Sequence, residues 1–164
     1  MTRLGRSAGT LFAVAGVVWA LDRLSKLWVE HALMGRPPIT VIPGVLDLRF
    51  TTNPGGAFSL GQRTPWIFVG ASIIVSVAIV ATAFRQTNMV TSLALGLILG
   101  GALGNLTDRV VRGPGFSGHV VDFVDFHVWP VFNLADSAIV VGAVILAIYS
   151  FAAYRGREPS HDAG

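Results

Sequence analysis

Hydrophobic residues dominate four long stretches of the chain, and polar residues collect in the segments between them. The stretches cover about residues 8–28, 65–84, 88–107 and 136–154. A bilayer core about 30 Å thick is crossed by roughly 20 apolar residues in a helix. The pattern therefore predicts four membrane-spanning helices.

The first stretch has features of a cleaved secretory signal, namely a basic start and the small-residue run "AVA" at 13–15. A cut at that point would leave too short an apolar core, and the apolar run continues well beyond it. The sequence therefore predicts an uncleaved first helix, interrupted near its far end by Asp22, Arg23 and Lys26.

The connection over about residues 30–64 differs in composition from the four apolar stretches. Its segment "ITVIPGVLDLRFTTN" is rich in β-branched residues and is interrupted by Pro43 and Gly44. Such a pattern indicates short strands in a small sheet. We therefore expect an all-α membrane protein, with four transmembrane helices and a small extracytoplasmic β-rich element between helices 1 and 2. Residues 1–154 would form one membrane-embedded domain, and 155–164 a cytoplasmic polar tail.

Composition supports a membrane protein and excludes several other classes. The chain is 52% hydrophobic and only 13% charged, whereas soluble domains carry about a quarter charged residues. The absence of cysteine excludes disulfides, thiolate nucleophiles and cysteine-ligated metals. The net charge is +3, but the basic residues are scattered rather than gathered in a patch, so no nucleic-acid partner is predicted.

The distribution of basic residues predicts the orientation of the helices. Four spans place both termini on one side of the membrane. Short segments on that side carry Arg3, Arg6, Arg85, Arg155 and Arg157. The basic residues of the other side are spread over longer connections that also carry acidic residues. By density, the positive-inside rule places the termini in the cytoplasm, whereas the raw count of basic residues on the two sides leaves the orientation open.

Polar and ionisable residues lie at the opposite, outer ends of the predicted spans. Such residues at membrane depth are rare and usually mark a functional site. Because they gather toward one face of the membrane, they predict a single polar site between helices. The residues are Asp22, Lys26, Asn53, Asn105, Asp108, Arg109, Asp122, Asp125, Asn133 and Asp136.

Several of these residues also have an ordinary structural interpretation. Asp22 and Lys26 are four residues apart and could pair on one helix face. Asp136 could be the N-cap of the last helix. For Asp108 we favour a surface ion pair with Arg109, where the third span leaves the bilayer.

The run H-x2-D-x2-D-x-H offers ligand types that suit a metal ion. It comprises His119, Asp122, Asp125 and His127. These positions share no clean helical face, and the tight pairing typical of a hydrolytic zinc motif is missing. The sequence therefore disfavours a metal site, and Asp125 and His127 are interpreted as part of an interfacial loop.

Two carboxyl groups that share an apolar site can perform acid–base chemistry. Their mutual repulsion and burial keep one protonated while the other is ionised, as in aspartic proteases. Asp122 and Asp136 are the candidates, because each stands in an apolar segment. A proton-coupled transporter would instead distribute ionisable residues through the membrane depth. A non-enzymatic scaffold would leave these two residues without a role.

Five stretches of the sequence, taken in order, resemble the lipoprotein signal peptidases, which are also called signal peptidase II and form aspartyl peptidase family A8. They are "DRLSK" (22–26), "TNPGGAFS" (52–59), "GGALGNLTDR" (100–109), "VVDF" (120–123) and "FNLADSAI" (132–139). Each lies at the outer end of a span or in an outer segment. The family usually has alanine where Gly56 stands.

The resemblance implies a membrane aspartyl endopeptidase of the bacterial inner membrane, with its active site near the extracytoplasmic face. It would remove signal peptides from diacylglyceryl-modified prolipoproteins by cleaving just before the lipidated cysteine. The implied catalytic residues are Asp122 and Asp136, with no metal or cofactor. The implied partners are prolipoproteins, membrane lipid and globomycin-type inhibitors. The residues implied to shape the site and bind substrate are Asp22, Lys26, Asn53, Asn105, Arg109 and Asn133.

Overall fold

A computed structural model describes residues 3–55 and 65–155 of the chain. Its helices are α1 (Arg3–Leu33), α2 (Pro65–Ala83), α3 (Met89–Val111) and α4 (Leu134–Arg155). All four are long and apolar enough to cross a membrane. The predicted fold class is therefore confirmed.

The outward faces of the helices are apolar, as a lipid environment requires. Ile74 and Val77 on α2 are 70% and 62% exposed, and Ile148 on α4 is 65% exposed. Exposure of such apolar surfaces to water is unfavourable in free energy, whereas contact with lipid tails is not. Exposed apolar faces on helices of this length identify a multi-pass membrane protein.

Small residues on α3 allow its neighbours to pack closely against it. A Cβ added at Gly100 would lie 2.7 Å from the Ala15 carbonyl oxygen of α1. On the other side of α3, a Cβ added at Gly142 of α4 would lie 2.7 Å from the Ala94 carbonyl oxygen. Close approach of this kind is the usual basis of helix packing in membranes. It makes α3 the central helix of the bundle.

A three-stranded antiparallel sheet covers the end of the bundle where α1 and α3 finish. Its strands are β1 (Ile39–Ile42), β2 (Leu46–Asn53) and β3 (Val120–Asp125), in the order β1-β2-β3. The sheet packs on α1 through a buried cluster. That cluster comprises Val29, Leu33, Val121 and Phe123.

The sheet differs from the sequence prediction in one strand. The strands predicted between the first two helices are present as β1 and β2, but β3 comes from the segment between α3 and α4. Its pairing with β2 sets Thr51 opposite Asp122 and Asn53 opposite Val120. Asp122 therefore lies on a strand that follows one membrane helix, α3, along the chain and precedes another, α4.

The chain after β3 folds back on the strand before α4 begins. The Val124 N–H donates to the Phe132 carbonyl at 2.8 Å, and the Phe132 N–H donates to the Val124 carbonyl at 3.1 Å. The rings of Phe126 and Phe132 stack with centroids 6.0 Å apart. Residues 126–132 thus form a short wall beside β3. Gly56 and the polar tail over 156–164 lie outside the described residues.

Candidate active site

Asn133 caps the N-terminus of α4 and brings Asp136 into the first helical turn. Its side-chain oxygen accepts from the Asp136 N–H at 2.9 Å, and Asp136 Oδ2 accepts from the Asn133 N–H at 3.3 Å. This reciprocal pair is a capping box. The interpretation of Asp136 as the N-cap is therefore wrong, because the N-cap is Asn133.

Asp122 points from β3 into the space beside that helix end. Its side chain is buried, with the residue only 2% exposed. Oδ1 accepts from Asn133 Nδ2 at 2.6 Å, and Oδ2 accepts from Asn53 Nδ2 at 3.1 Å. Asn133 therefore contacts both carboxyl groups, Asp122 with its amide nitrogen and Asp136 with its backbone.

Asn105 on α3 supplies a second amide bridge within the site. Its Nδ2 donates to Asp136 Oδ1 at 2.8 Å. Its Oδ1 accepts from Asn133 Nδ2 at 3.2 Å and from Lys26 Nζ at 3.0 Å. The structure thus brings together side chains from α1, α3, β3 and α4, as the sequence predicted for a single polar site.

The electrostatic surroundings of Asp122 favour its protonated form. Burial, and secondarily the negative charge of Asp136, raise the pKa of Asp122 from 3.8 to about 7. The hydrogen bonds from Asn53 and Asn133 act in the opposite direction but do not offset these effects. Near neutral pH, Asp122 is therefore poised to hold or release a proton.

Several groups around Asp136 favour its ionised form. It occupies the first turn of α4, where the free N–H groups and the helix dipole favour an anion. Both of its oxygens accept from N–H donors, one from Asn105 and one from the backbone of Asn133. Asp136 thus differs from Asp122, which lies on a strand, in its position at a helix N-terminus, and an acid–base pair requires such a difference in environment.

Both carboxyl groups line one cavity of about 370 Å³. Apolar side chains of α2 and α4 flank it, including Phe68, Ala71 and Ile139. Trp129 and the residues that follow it in the 126–132 wall close another side. A polar pair set in an apolar cleft is suited to bind a substrate that carries both peptide and hydrocarbon parts.

Arg109 holds the backbone around this cavity. Its guanidinium donates to the carbonyls of Pro54 and Gly118, each at 3.3 Å, and to that of Gly55. It also lies over the Phe68 ring, 5.8 Å from the centroid. Arg109 therefore joins the end of β2, the approach to β3 and helix α2 at the site.

The predicted pairing of Asp22 with Lys26 is present, with Lys26 Nζ 2.8 Å from Asp22 Oδ2. Both residues are almost fully buried. Asp22 Oδ1 also accepts from the Ala135 N–H of α4 at 3.0 Å. The pair therefore has a second role, because it holds the helix end that carries Asp136.

Asp108 is not part of a surface ion pair, so that prediction is wrong. The residue is fully buried and forms ion pairs with Arg23, Lys26 and Arg112 at 3.1, 3.0 and 2.8 Å. Neighbouring positions on a helix point about 100° apart, so Asp108 faces α1 while Arg109 faces the cavity. The spacing of Asp108 and Arg112, four residues apart, was the sequence pattern that could have indicated this.

Asp125 and His127 are directed to β2 rather than to Asp122. Asp125 Oδ2 lies 3.0 Å from Arg49 Nε, and His127 Nε2 lies 2.9 Å from Asp47 Oδ2. Asp125 is buried at the end of β3, so its assignment to an interfacial loop is wrong. Across the described ranges 3–55 and 65–155, no three His, Asp or Glu side chains are grouped to share a metal ion.

Comparisons with known proteins agree on one family. Residues 14–152 match the profile of the family described as signal peptidase (SPase) II. A lipoprotein signal peptidase of Rhodococcus jostii (strain RHA1) is 42% identical over 150 residues, which cover 91% of this chain and 74% of the relative. One from Desulfitobacterium hafniense (strain DSM 10664 / DCB-2) is 44% identical over 141 residues, covering 84% and 90%.

Solved structures show the same architecture. A bacterial membrane enzyme determined by the in meso method at 2.3 Å resolution superposes with a TM-score of 0.81 and 27% identity, covering 94% of this chain and 95% of its own. A second, at 1.9 Å resolution, gives a TM-score of 0.71 and 30% identity, covering 86% and 92%. From the matched profile and these relatives, the chain belongs to the signal peptidase II family.

Proposed function

We propose that Asp122 and Asp136 are the catalytic pair with which this chain, a membrane protease of the signal peptidase II family, removes signal peptides from prolipoproteins. One observation carries the assignment. A buried carboxyl group, that of Asp122, and a partly buried one, that of Asp136, come from different elements, contact the same asparagine, Asn133, and line the same cavity. No other pair of acidic side chains among the described residues lines that cavity.

The difference between the two environments supports the following roles. Asp136, in the first turn of α4, is the ionised group and takes a proton from a water molecule as that water attacks the scissile carbonyl. Asp122 is the protonated group and donates to the carbonyl oxygen as negative charge develops there. When the tetrahedral intermediate collapses, the C–N bond breaks, Asp136 passes the proton taken from water to the leaving amine, and the proton on the carbonyl oxygen returns to Asp122. Each aspartate then returns to its starting state.

The walls of the cavity support a lipid-modified substrate. Phe68 and Ala71 of α2 and Ile139 and Val140 of α4 line the cavity that holds the two carboxyl groups. Apolar walls of this kind suit the hydrocarbon of a diacylglyceryl group, since burial of each CH₂ is worth about 0.8 kcal/mol. The proposed substrate is therefore a diacylglyceryl-modified prolipoprotein, cut just before its lipidated cysteine. Globomycin-type inhibitors would compete for the same cavity.

The fold also supports an orientation in the membrane. The proposed site lies where α1 and α3 end and α4 begins, whereas Arg6, Arg85 and Arg155 lie at the other ends of the helices. The positive-inside rule then places both termini in the cytoplasm and the site near the extracytoplasmic face of the bacterial inner membrane. Labelling of single cysteines introduced near Arg85 and near Val128, in intact cells, would test this orientation. Only the cysteine near Val128 should react with an impermeant reagent.

The catalytic assignment is tested by cleavage of a diacylglyceryl-modified prolipoprotein in detergent. Asp122→Asn and Asp136→Asn should each remain folded and lose at least about 10²-fold in kcat, because acid–base catalysis contributes that much or more. Asp125→Asn is the matched control, since this buried aspartate lies on the same strand but pairs with Arg49. It should keep most of its activity.

Two results would contradict the proposal. Full activity in Asp122→Asn or in Asp136→Asn would show that the carboxyl group replaced in that variant is structural. Equal cleavage of the same prolipoprotein without its lipid would show that the apolar walls do not select for the diacylglyceryl group.

A further inference from the structure

The carboxylate of Asp108, near the end of α3, is contacted by four donor groups. Oδ1 accepts from Arg23 at 3.1 Å and from Arg112 at 2.8 Å. Oδ2 lies 3.0 Å from Lys26 Nζ and accepts from the Val121 N–H at 3.2 Å. The side chain is fully buried, so these four donors replace the water that a carboxylate would otherwise bind.

The bond to Val121 connects Asp108 with the strand that carries Asp122. Consecutive residues of a strand point to opposite faces. The Val121 side chain belongs to the buried cluster with Val29 and Leu33, while Asp122 faces Asn133. A carboxylate that fixes the Val121 backbone therefore also fixes the direction in which Asp122 leaves the strand.

The contact with Lys26 connects Asp108 with the other carboxyl group. Lys26 Nζ donates to Asn105 Oδ1 at 3.0 Å, and Asn105 Nδ2 donates to Asp136 Oδ1 at 2.8 Å. One oxygen of Asp108 thus contacts two groups that lead separately to Asp122 and to Asp136. Asp108 itself is not among the residues that line the cavity.

We infer that Asp108 is a positioning residue, which sets the distance between the two proposed catalytic carboxyl groups through Val121 on one side and Lys26 on the other. The inference rests on the proposed function of Asp122 and Asp136. Its physical basis is that a displacement of about 1 Å at a reacting group can cost about 10²-fold in rate. Asp108 would therefore affect turnover without touching substrate.

A purely structural role would have a different signature. Buried ion-pair networks often contribute to the fold alone, and the loss of one member then lowers stability without a specific effect on turnover. A positioning role predicts instead that kcat falls while the KM for prolipoprotein stays constant, because the apolar side chains that line the cavity are unchanged.

The first test is Asp108→Asn in the full chain, assayed with diacylglyceryl-modified prolipoprotein. We expect kcat to fall by about 10²-fold with KM unchanged. Glu30→Gln is the matched control. It also removes a carboxylate that pairs with Arg112, at 2.7 Å, but Glu30 has no bond to β3 or to Asn105 among the described contacts. It should retain the wild-type kcat.

The second test avoids any change of charge. Incorporation of the α-hydroxy analogue of valine at position 121 replaces one N–H by an ester oxygen and leaves every side chain in place. This variant should also show a lower kcat and an unchanged KM. If Asp108→Asn does not fold, the ester variant becomes the test of the positioning role. A wild-type kcat in the ester variant would then overturn the inference.

The outcomes separate this inference from the proposed function. If Asp122→Asn and Asp136→Asn are inactive but folded Asp108→Asn keeps the wild-type kcat, the positioning role is overturned and the catalytic pair stands. A rise in KM at constant kcat would likewise overturn it. If the wild-type protein does not cleave prolipoprotein at all, both proposals fail together.

Discussion

Replacement of Asp122 by asparagine should shift the stability difference between variant and wild type in favour of the variant as the pH rises from about 4 to about 7. In the folded protein, burial and the charge of Asp136 raise the pKa of Asp122 to about 7, whereas the unfolded chain has the ordinary value of 3.8. Between these values the folded state binds a proton that the unfolded state has lost. The contribution of Asp122 to the stability of the folded state is therefore fully present below pH 3.8 and is lost by about pH 7.

The size of the effect follows from the two pKa values. Raising the pKa of Asp122 from 3.8 to about 7 corresponds to about 4 kcal/mol of stability that wild type loses over this pH range. An asparagine at this position does not titrate. Changes in its hydrogen bonds with Asn53 and Asn133 shift the variant by a constant amount, so only the pH dependence of the difference reports on the carboxyl group.

Thermal unfolding in detergent at several pH values, followed by circular dichroism, measures this difference. The unfolding midpoint of Asp122→Asn minus that of wild type should rise steadily from pH 4 to pH 7 and then level off. Ser72→Ala is the control, because Ser72 lines the same cavity but carries no titratable group. A difference for Asp122→Asn that is as flat with pH as that of Ser72→Ala would refute the reasoning.

Three further results are expected. Above about pH 7, where Asp122 loses its proton, kcat/KM for prolipoprotein should fall about tenfold per pH unit; a profile that stays level to pH 9 would contradict the acid role. Gly104→Ala should lower the unfolding midpoint and kcat, because its Cβ would lie 2.5 Å from Asp22 Oδ2 and overpacking costs about 1–3 kcal/mol; Gly70→Ala, with nothing within 4 Å of the added Cβ, should do neither. Arg109→Lys should lower kcat/KM by about tenfold, since a compact ammonium on a flexible stem does not reproduce the rigid fork of donors with which the guanidinium binds three backbone carbonyls; unchanged kinetics would show that these contacts do not matter for the site.

Much of the fold could be predicted from the sequence because it depends on order along the chain. A run of about 20 apolar residues can satisfy its backbone polar groups in a bilayer only as a helix. Asp122 and Asp136 were prominent for the same reason, since carboxyl groups are costly in apolar segments and need a specific partner. The structure brings both to one cavity with Asn53 and Asn105, and Asn133 contacts both of them from beside it.

The third strand could not be predicted in this way. The segment "VVDFVD" of β3 is buried at nearly every position, so it lacks the alternation of polar and apolar residues by which a half-exposed strand is recognised. Its strand character comes from pairing with β2, about 70 residues earlier in the chain. Only the tertiary structure shows that Asp122 lies on that strand, opposite Thr51.

The direction of individual side chains was also decided by packing. Asp108 and Arg109 are adjacent in the sequence and suggested a local pair, yet Asp108 binds Arg23 and Lys26 while Arg109 binds backbone carbonyls around the cavity. The sequence by itself determined which residues are too polar for their surroundings, because hydropathy is a property of each position. Which partners these residues find depends on how α1, α3, α4 and the sheet pack together, and only the tertiary structure decided that.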